Sequence, residues 1–196
     1  MAAATKDRPQ AVTFSDVASL ERHLDGCWDL QWARFDDPNM HVPGGLNDFY
    51  GSGNLIYHSG ARQMSAIMLE GPEGGRRHLE DASEKTPYPP ASFLHDTHTE
   101  AWADVARSSL AYTARYSIDM GSSSLATAIR EVTIHHHITQ STQPAWHGRL
   151  VSRRATFETS QATPCCIAGD FMRLVPTGGP PCTLYFKRAQ LSHGSG

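Results

Sequence analysis

The stretch IREVTIHHHIT, residues 129–139, sets an acid and three consecutive histidines in a run that reads as a β-strand. Alternate residues of a strand share a face, so Glu131, Thr133, His135 and His137 fall on one side. Arg130, Val132, Ile134, His136 and Ile138 fall on the other. The first set offers a carboxylate for general-base work and two imidazoles at i, i+2 that can share an ion. Two ligands fall short of a zinc site, so His95 or His98 would have to complete one. Metal ligands, ligand-contacting histidines and a hydrogen-bonded or exposed imidazole set all stay open; the last leads, and no metal is expected.

Other residues could serve the same chemistry. Tyr112, Ala114, Tyr116 and Ile118 share a face, and at ~3.3 Å per residue the two phenols stand ~13 Å apart, enough to touch opposite ends of a polycyclic ligand. Two core tyrosines tied to backbone would give the same pattern. Trp28, Leu30 and Trp32 set an inward phase that carries Arg34 inward too, where a guanidinium needs a carboxylate or bound anion. Arg153 and Arg154 are adjacent and must split between two faces. One of them enters an interior or pairs Glu158 or Glu131, unless both lie on a solvated surface.

These side chains need elements to hold them. Residues 15–25 carry Val17, Leu20 and Leu24 at helical spacing behind a serine that can cap, and Gly26 stops this short helix. A half-buried strand follows over 27–35, then a glycine- and proline-rich loop. Residues 53–69 read as a hairpin turning at Ser59-Gly60-Ala61-Arg62. Residues 70–90 read as a flexible, lid-like loop, and 97–112 as a longer helix opened by Thr97 and Glu100 in capping-box spacing. Strand-like runs then recur at 111–119, 129–139, 149–158, 165–174 and 182–188, the pattern of an antiparallel barrel or sandwich.

Composition narrows the classes. The 196 residues, 39% of them hydrophobic, suit one domain over 15–190, with a flexible N-terminus at 1–14 and a tail at 191–196. A net charge of -3 with interspersed signs lacks the basic footprint of a nucleic-acid or anionic-lipid binder. The first ten residues lack a signal-peptide core and no run approaches ~18 apolar residues, so a soluble, cytoplasmic protein without a membrane partner is expected. The four cysteines have no zinc or redox spacing and read as free thiols. No nucleophile elbow, phosphate loop or dinucleotide fingerprint appears, which removes the common hydrolase, kinase and dehydrogenase classes.

Several segments together carry a resemblance: LDGCWDLQWARF, GNLIYHSGARQMSAIML, LAYTARYSID, VTIHHHITQSTQPAWHGRLVSRRATF and TLYFKR. With their G-x-W, Met-Ser, Tyr-x-x-x-Tyr, His-His, Pro-x-Trp and Arg-Arg markers in order, they resemble the bacterial and fungal lipocalin-like domain family from about Leu24 to Arg188. The resemblance implies a mainly β fold, a lipocalin-like antiparallel β-barrel with a short N-terminal helix and one longer helix. In it Trp28 would pack near a closed end, and a cavity would take a hydrophobic small molecule. It also implies kinship with fungal cofactor-independent isomerases and cyclases of secondary metabolism. The histidine-bearing 70–100 segment and the third histidine depart from the usual pattern.

The expected function is therefore an isomerase or cyclase that needs no cofactor and steers the rearrangement or ring closure of a bulky intermediate, by semipinacol-type or pericyclic chemistry. Glu131 would act as base, Arg34 would orient it, and Tyr112 or Tyr116 would donate to an oxygen where charge develops. Trp32, Met64, His137 and Arg154 would line the substrate. The alternative is a carrier of a hydrophobic molecule with no chemistry, and a barrel filled by its own side chains is a third expectation. A homodimer is one expected assembly.

Overall fold

The computed structural model describes residues 9–35, 52–69, 109–121, 129–161, 168–178 and 182–190. Among these residues nine strands form, most of them by alternation of apolar residues: β1 (Gln10–Ala11), β2 (Gly26–Phe35), β3 (Ser52–His58), β4 (Gln63–Leu69), β5 (Ser109–Asp119), β6 (Glu131–Ser141), β7 (Leu150–Ser160), β8 (Gly169–Pro176) and β9 (Cys182–Arg188). Each strand from β2 to β9 pairs antiparallel with its sequence neighbour, and β9 returns to β2. The result is a closed eight-stranded barrel, which removes every sheet edge. β1 adds to β7 beyond the end of β6, through Gln10 opposite Thr159 and Ala11 opposite Glu158. Part of the segment expected to be flexible thus belongs to the fold, and Phe14 continues it by exchanging backbone bonds with Ile129.

One helix is described, α1 (Val17–Leu24). Its cap is Asp16 rather than the neighbouring serine: the Ser19 N–H donates to Asp16 Oδ1 at 2.6 Å, and the Ser19 side chain completes a capping box. Leu20 and Leu24 are fully buried. Of the longer helix expected over 97–112, residues 109–112 lie in β5. There the two-residue period of Leu110, Tyr112, Ala114 and Tyr116 overrides the helical pattern. The rest of that helix and the loop at 70–90 fall outside the described residues.

The strand phases decide what faces inward. Buried positions are Leu55 and Tyr57 on β3, Met64, Ala66 and Met68 on β4, and Leu110, Tyr112, Ala114 and Tyr116 on β5. They continue with Val132, Ile134, His136 and Ile138 on β6, and Arg153, Ala155 and Phe157 on β7. On β2 a register shift between Leu30 and Trp32 inserts one residue, so Trp28 and Leu30 point inward and the next inward residue is Ala33.

The space beneath α1 is packed with rings. Phe14, His23, Trp28 and Phe157 meet with centroid separations from 5.3 to 6.1 Å. Trp28 donates its indole N–H to the Leu24 carbonyl at 2.8 Å. The Arg188 guanidinium lies 4.3 Å over the Trp28 ring, pairs with Asp170 at 3.2 Å and donates to the Asp25 and His23 carbonyls. One cation thereby ties the last strand to the helix end and the first barrel strand.

Candidate functional site

The chemistry-bearing groups of the interior come from β3, β5, β6 and β7. His136 is fully buried in the apolar phase of β6, and its two ring nitrogens meet two phenols: Nε2 stands 2.9 Å from the Tyr57 hydroxyl and Nδ1 3.2 Å from that of Tyr112. Tyr116 packs edge-on against Tyr57 at 5.3 Å, and its own buried hydroxyl has no partner among the described residues. Arg153, 5% exposed, enters the same interior next to Ala155 and Phe157 in phase. Trp146, in a short 3-10 turn after β6, packs at a tilt against Tyr112, ring centroids 5.9 Å apart.

Burial sets the protonation states. His136 is pushed well below the ordinary imidazole range, first by desolvation and then by the Arg153 cation, so it is neutral at physiological pH. The Tyr57 phenol is pushed well above its usual range, mainly by burial, and that of Tyr116 up to about 12 for the same reason. His136 and Tyr57 are therefore uncharged, and a neutral imidazole holds one N–H. If that proton sits on Nδ1, it is donated to the Tyr112 oxygen while the Tyr57 O–H is donated to Nε2. The Tyr112 O–H is then left for another acceptor. The other tautomer exchanges the roles, so one phenol proton is always available and the imidazole decides which.

The expected site is distributed differently. Tyr112, Tyr116 and Met64 do face the interior. The register shift on β2 turns Trp32 and Arg34 outward, correcting the inward phase read through that strand. Trp32 stacks on Tyr185 at 5.1 Å, and the Arg34 guanidinium lies over Trp32. Glu131 is also on the outer wall, about half exposed, because Val132, Ile134, His136 and Ile138 take the inward face. It pairs at 3.8 Å with Arg154, which is likewise outside. Glu131 and Arg34 thus do not meet across the lumen. His137 is exposed and contacts Ser117, and His135 contacts Ser152 at 2.7 Å, two hydrogen-bonded surface imidazoles. Among the described residues no group of three metal-ligating side chains forms.

Tyr57, His136 and Arg153 are interior residues outside the expected site, although Arg153 stood with Arg154 as a pair of which one would turn inward. Two signals pointed to them. His136 alternates with Val132, Ile134 and Ile138, and Arg153 with Ala155 and Phe157, so both belong to apolar faces.

Two depressions formed by described residues, of about 510 and 390 Å³, lie along the outer wall of β3 to β6, lined by residues such as Ser65, Thr113 and Gln140. The side chains able to move a proton converge inside instead, so the inner wall is the better candidate. Among the described residues no helix is long and apolar enough to cross a membrane. No curated protein and no solved structure matches the chain. A family model described as a lipocalin-like domain matches residues 26–169, from the start of β2 to the start of β8. With that match over most of the barrel, the chain belongs to the lipocalin-like domain family, whose barrels bind small hydrophobic molecules.

Proposed function

We propose that the barrel takes up a hydrophobic small molecule and isomerises it by relocating a proton, with Tyr57, His136 and Tyr112 acting as one relay. The observation that carries this reading is the buried imidazole bridged by a phenol at each nitrogen. In the step, the free Tyr112 O–H protonates one ligand atom and the Nδ1–H passes to the Tyr112 oxygen. The Tyr57 proton passes to Nε2, and the Tyr57 oxygen takes a proton from a second ligand atom. One proton leaves the ligand and one arrives. His136 ends as the opposite tautomer, to be reset before the next turnover, and no phenolate forms at any stage. That fits a Tyr57 phenol held above its ordinary range.

Side chains alone carry this chemistry, as expected of a cofactor-independent isomerase or cyclase. Rearrangement or ring closure of a bulky reactive intermediate of secondary metabolism is the setting in which such a relay serves best. It would supply acid and base together while the barrel holds one reactive conformer. The second reading, a carrier, is favoured by the predominance of apolar side chains in the interior.

Apolar β,γ-unsaturated ketones test the proposal, because conjugation requires one proton to leave and another to arrive. Tyr57→Phe and Tyr112→Phe should each cut turnover by about 10²–10⁴-fold, the usual worth of general acid–base catalysis, while ligand affinity changes little. Binding with no conversion across the panel, or full turnover in both variants, would replace the relay with the carrier.

A further inference from the structure

We infer that the ligand carries a delocalised two-oxygen anion, a carboxylate or a 1,3-dicarbonyl enolate, and that Arg153 binds it. The inference rests on the small-molecule site proposed above and specifies the ligand's charge.

The argument starts from strand phase. Arg153 shares its face of β7 with Ala155 and Phe157, both buried, and itself is 5% exposed. Its partner in register on β6 is Ile134, two residues before His136. A guanidinium cannot shed its charge, so an interior position leaves it a cation wherever it sits. The buried polar or charged side chains among the described residues are His136, Arg153 and Thr183, with no carboxylate. The ion pairs among them, Arg62 with Glu21, Arg154 with Glu131 and Arg188 with Asp170, engage other arginines. Arg154, next in sequence, has its acid on the outer wall; among the described residues Arg153 has none inside. A buried cation among phenols, a neutral imidazole and apolar walls is matched by an incoming anion, and the planar fork suits a delocalised pair of oxygens.

The position also separates binding from chemistry. Arg153 is no member of the Tyr57–His136–Tyr112 chain of contacts, yet it is close enough to disfavour a second positive charge on His136. A bound anion would thus be held beside the relay, with the ligand's apolar body along the alanine- and methionine-lined wall of Met64, Ala66 and Ala114.

Fluorescence titration with 2-naphthoate and its neutral isostere 2-naphthamide at pH 7.5 tests the charge, and 1-(2-naphthyl)butane-1,3-dione distinguishes enolate from carboxylate. The wild-type protein should bind at least one anionic probe at least tenfold more tightly than the amide. Arg153→Met should reduce that preference to about twofold or less with amide affinity retained, and Arg153→Lys should keep part of it. Equal affinity for all three probes in the wild type overturns the inference and leaves the relay standing. A preference that survives in a folded Arg153→Met variant overturns it too. The wild-type comparison decides the matter if that variant does not fold. Failure of all three probes to bind overturns the small-molecule site itself, and the inference with it.

Discussion

Among the described residues, His23 on α1 and His136 on β6 both pack against the barrel's core, and their surroundings differ. His23 sits among Phe14, Trp28 and Phe157, with its Nε2 buried and unpartnered among the described residues. His136 has both nitrogens matched by phenols. Burial holds both below the ordinary imidazole range, so protonation state does not distinguish them. Hydrogen bonding does. The region under α1 uses its imidazole as one more ring in an aromatic plug, whereas the β3–β7 wall uses its imidazole as a two-ended connector. A buried polar side chain signals function when its partners are arranged around it, and a strained packing choice when they are missing.

The plug should carry the larger share of stability. Trp28→Ala removes a fully buried indole and the surface on which Arg188 stacks, and should cost about 3–5 kcal/mol in urea unfolding. A loss near 1 kcal/mol would mean that the closed end is not packed as described.

Replacing each histidine with phenylalanine sharpens the contrast. His136→Phe strands the Tyr57 and Tyr112 hydroxyls, at about 1–3 kcal/mol for each left unsatisfied. His23→Phe removes a nitrogen unpartnered among the described residues from a cluster of rings and should leave stability within about 1 kcal/mol of the parent, on the stabilising side. Chemical denaturation of the two variants side by side gives the answer; equal losses would erase the distinction.

Acid should act on both regions with the same sign. In the unfolded chain these histidines take up protons near 6.5, while the folded chain resists doing so. The unfolded state therefore binds more protons below that pH. Stability is full above about 6.5 and falls as the pH drops beneath it. Melting temperatures followed from pH 7.5 to 5 should show this decline, and His136→Phe should make it shallower. A parent protein as stable at pH 5 as at 7.5 would contradict the burial of both rings.

The smallest effect belongs to the outer wall. Glu131→Gln breaks only an exposed 3.8 Å pair with Arg154 and should change stability by less than about 0.5 kcal/mol, with no change in ligand binding. A large loss of binding would restore Glu131 to the site from which its strand phase removes it.

How far the sequence foretold this arrangement depends on how each signal is encoded. Alternation and turn chemistry located the hairpin through Ser59 and Arg62, the short helix and the strands, to within a few residues at most ends. The site was legible where a strand runs undisturbed, as with Tyr112 and Tyr116. It was misread at β2, where one inserted residue after Leu30 reverses the phase of Trp32 and Arg34, and nothing in WDLQWARF marks that insertion. On β6 the period was right but the choice of face was not. A carboxylate and two imidazoles on one side outweighed the single histidine among Val132, Ile134 and Ile138, although burial favours the apolar side. Which of two adjacent arginines turns inward depends on the phase of Ala155 and Phe157, a local signal that puts Arg153 on the inner face and the expected substrate contact Arg154 on the outer one.

The central claim is that His136 stands neutral between two phenols inside the barrel. Nitrogen-15 NMR of the histidine-labelled protein, titrated from pH 8 to 5 with Tyr57→Phe alongside, tests it most directly. His136 should stay neutral across the range with one protonated and one bare nitrogen, and the Nε2 resonance should shift most in the variant. A His136 that titrates near 6.5, or is untouched by loss of the Tyr57 hydroxyl, would contradict the account.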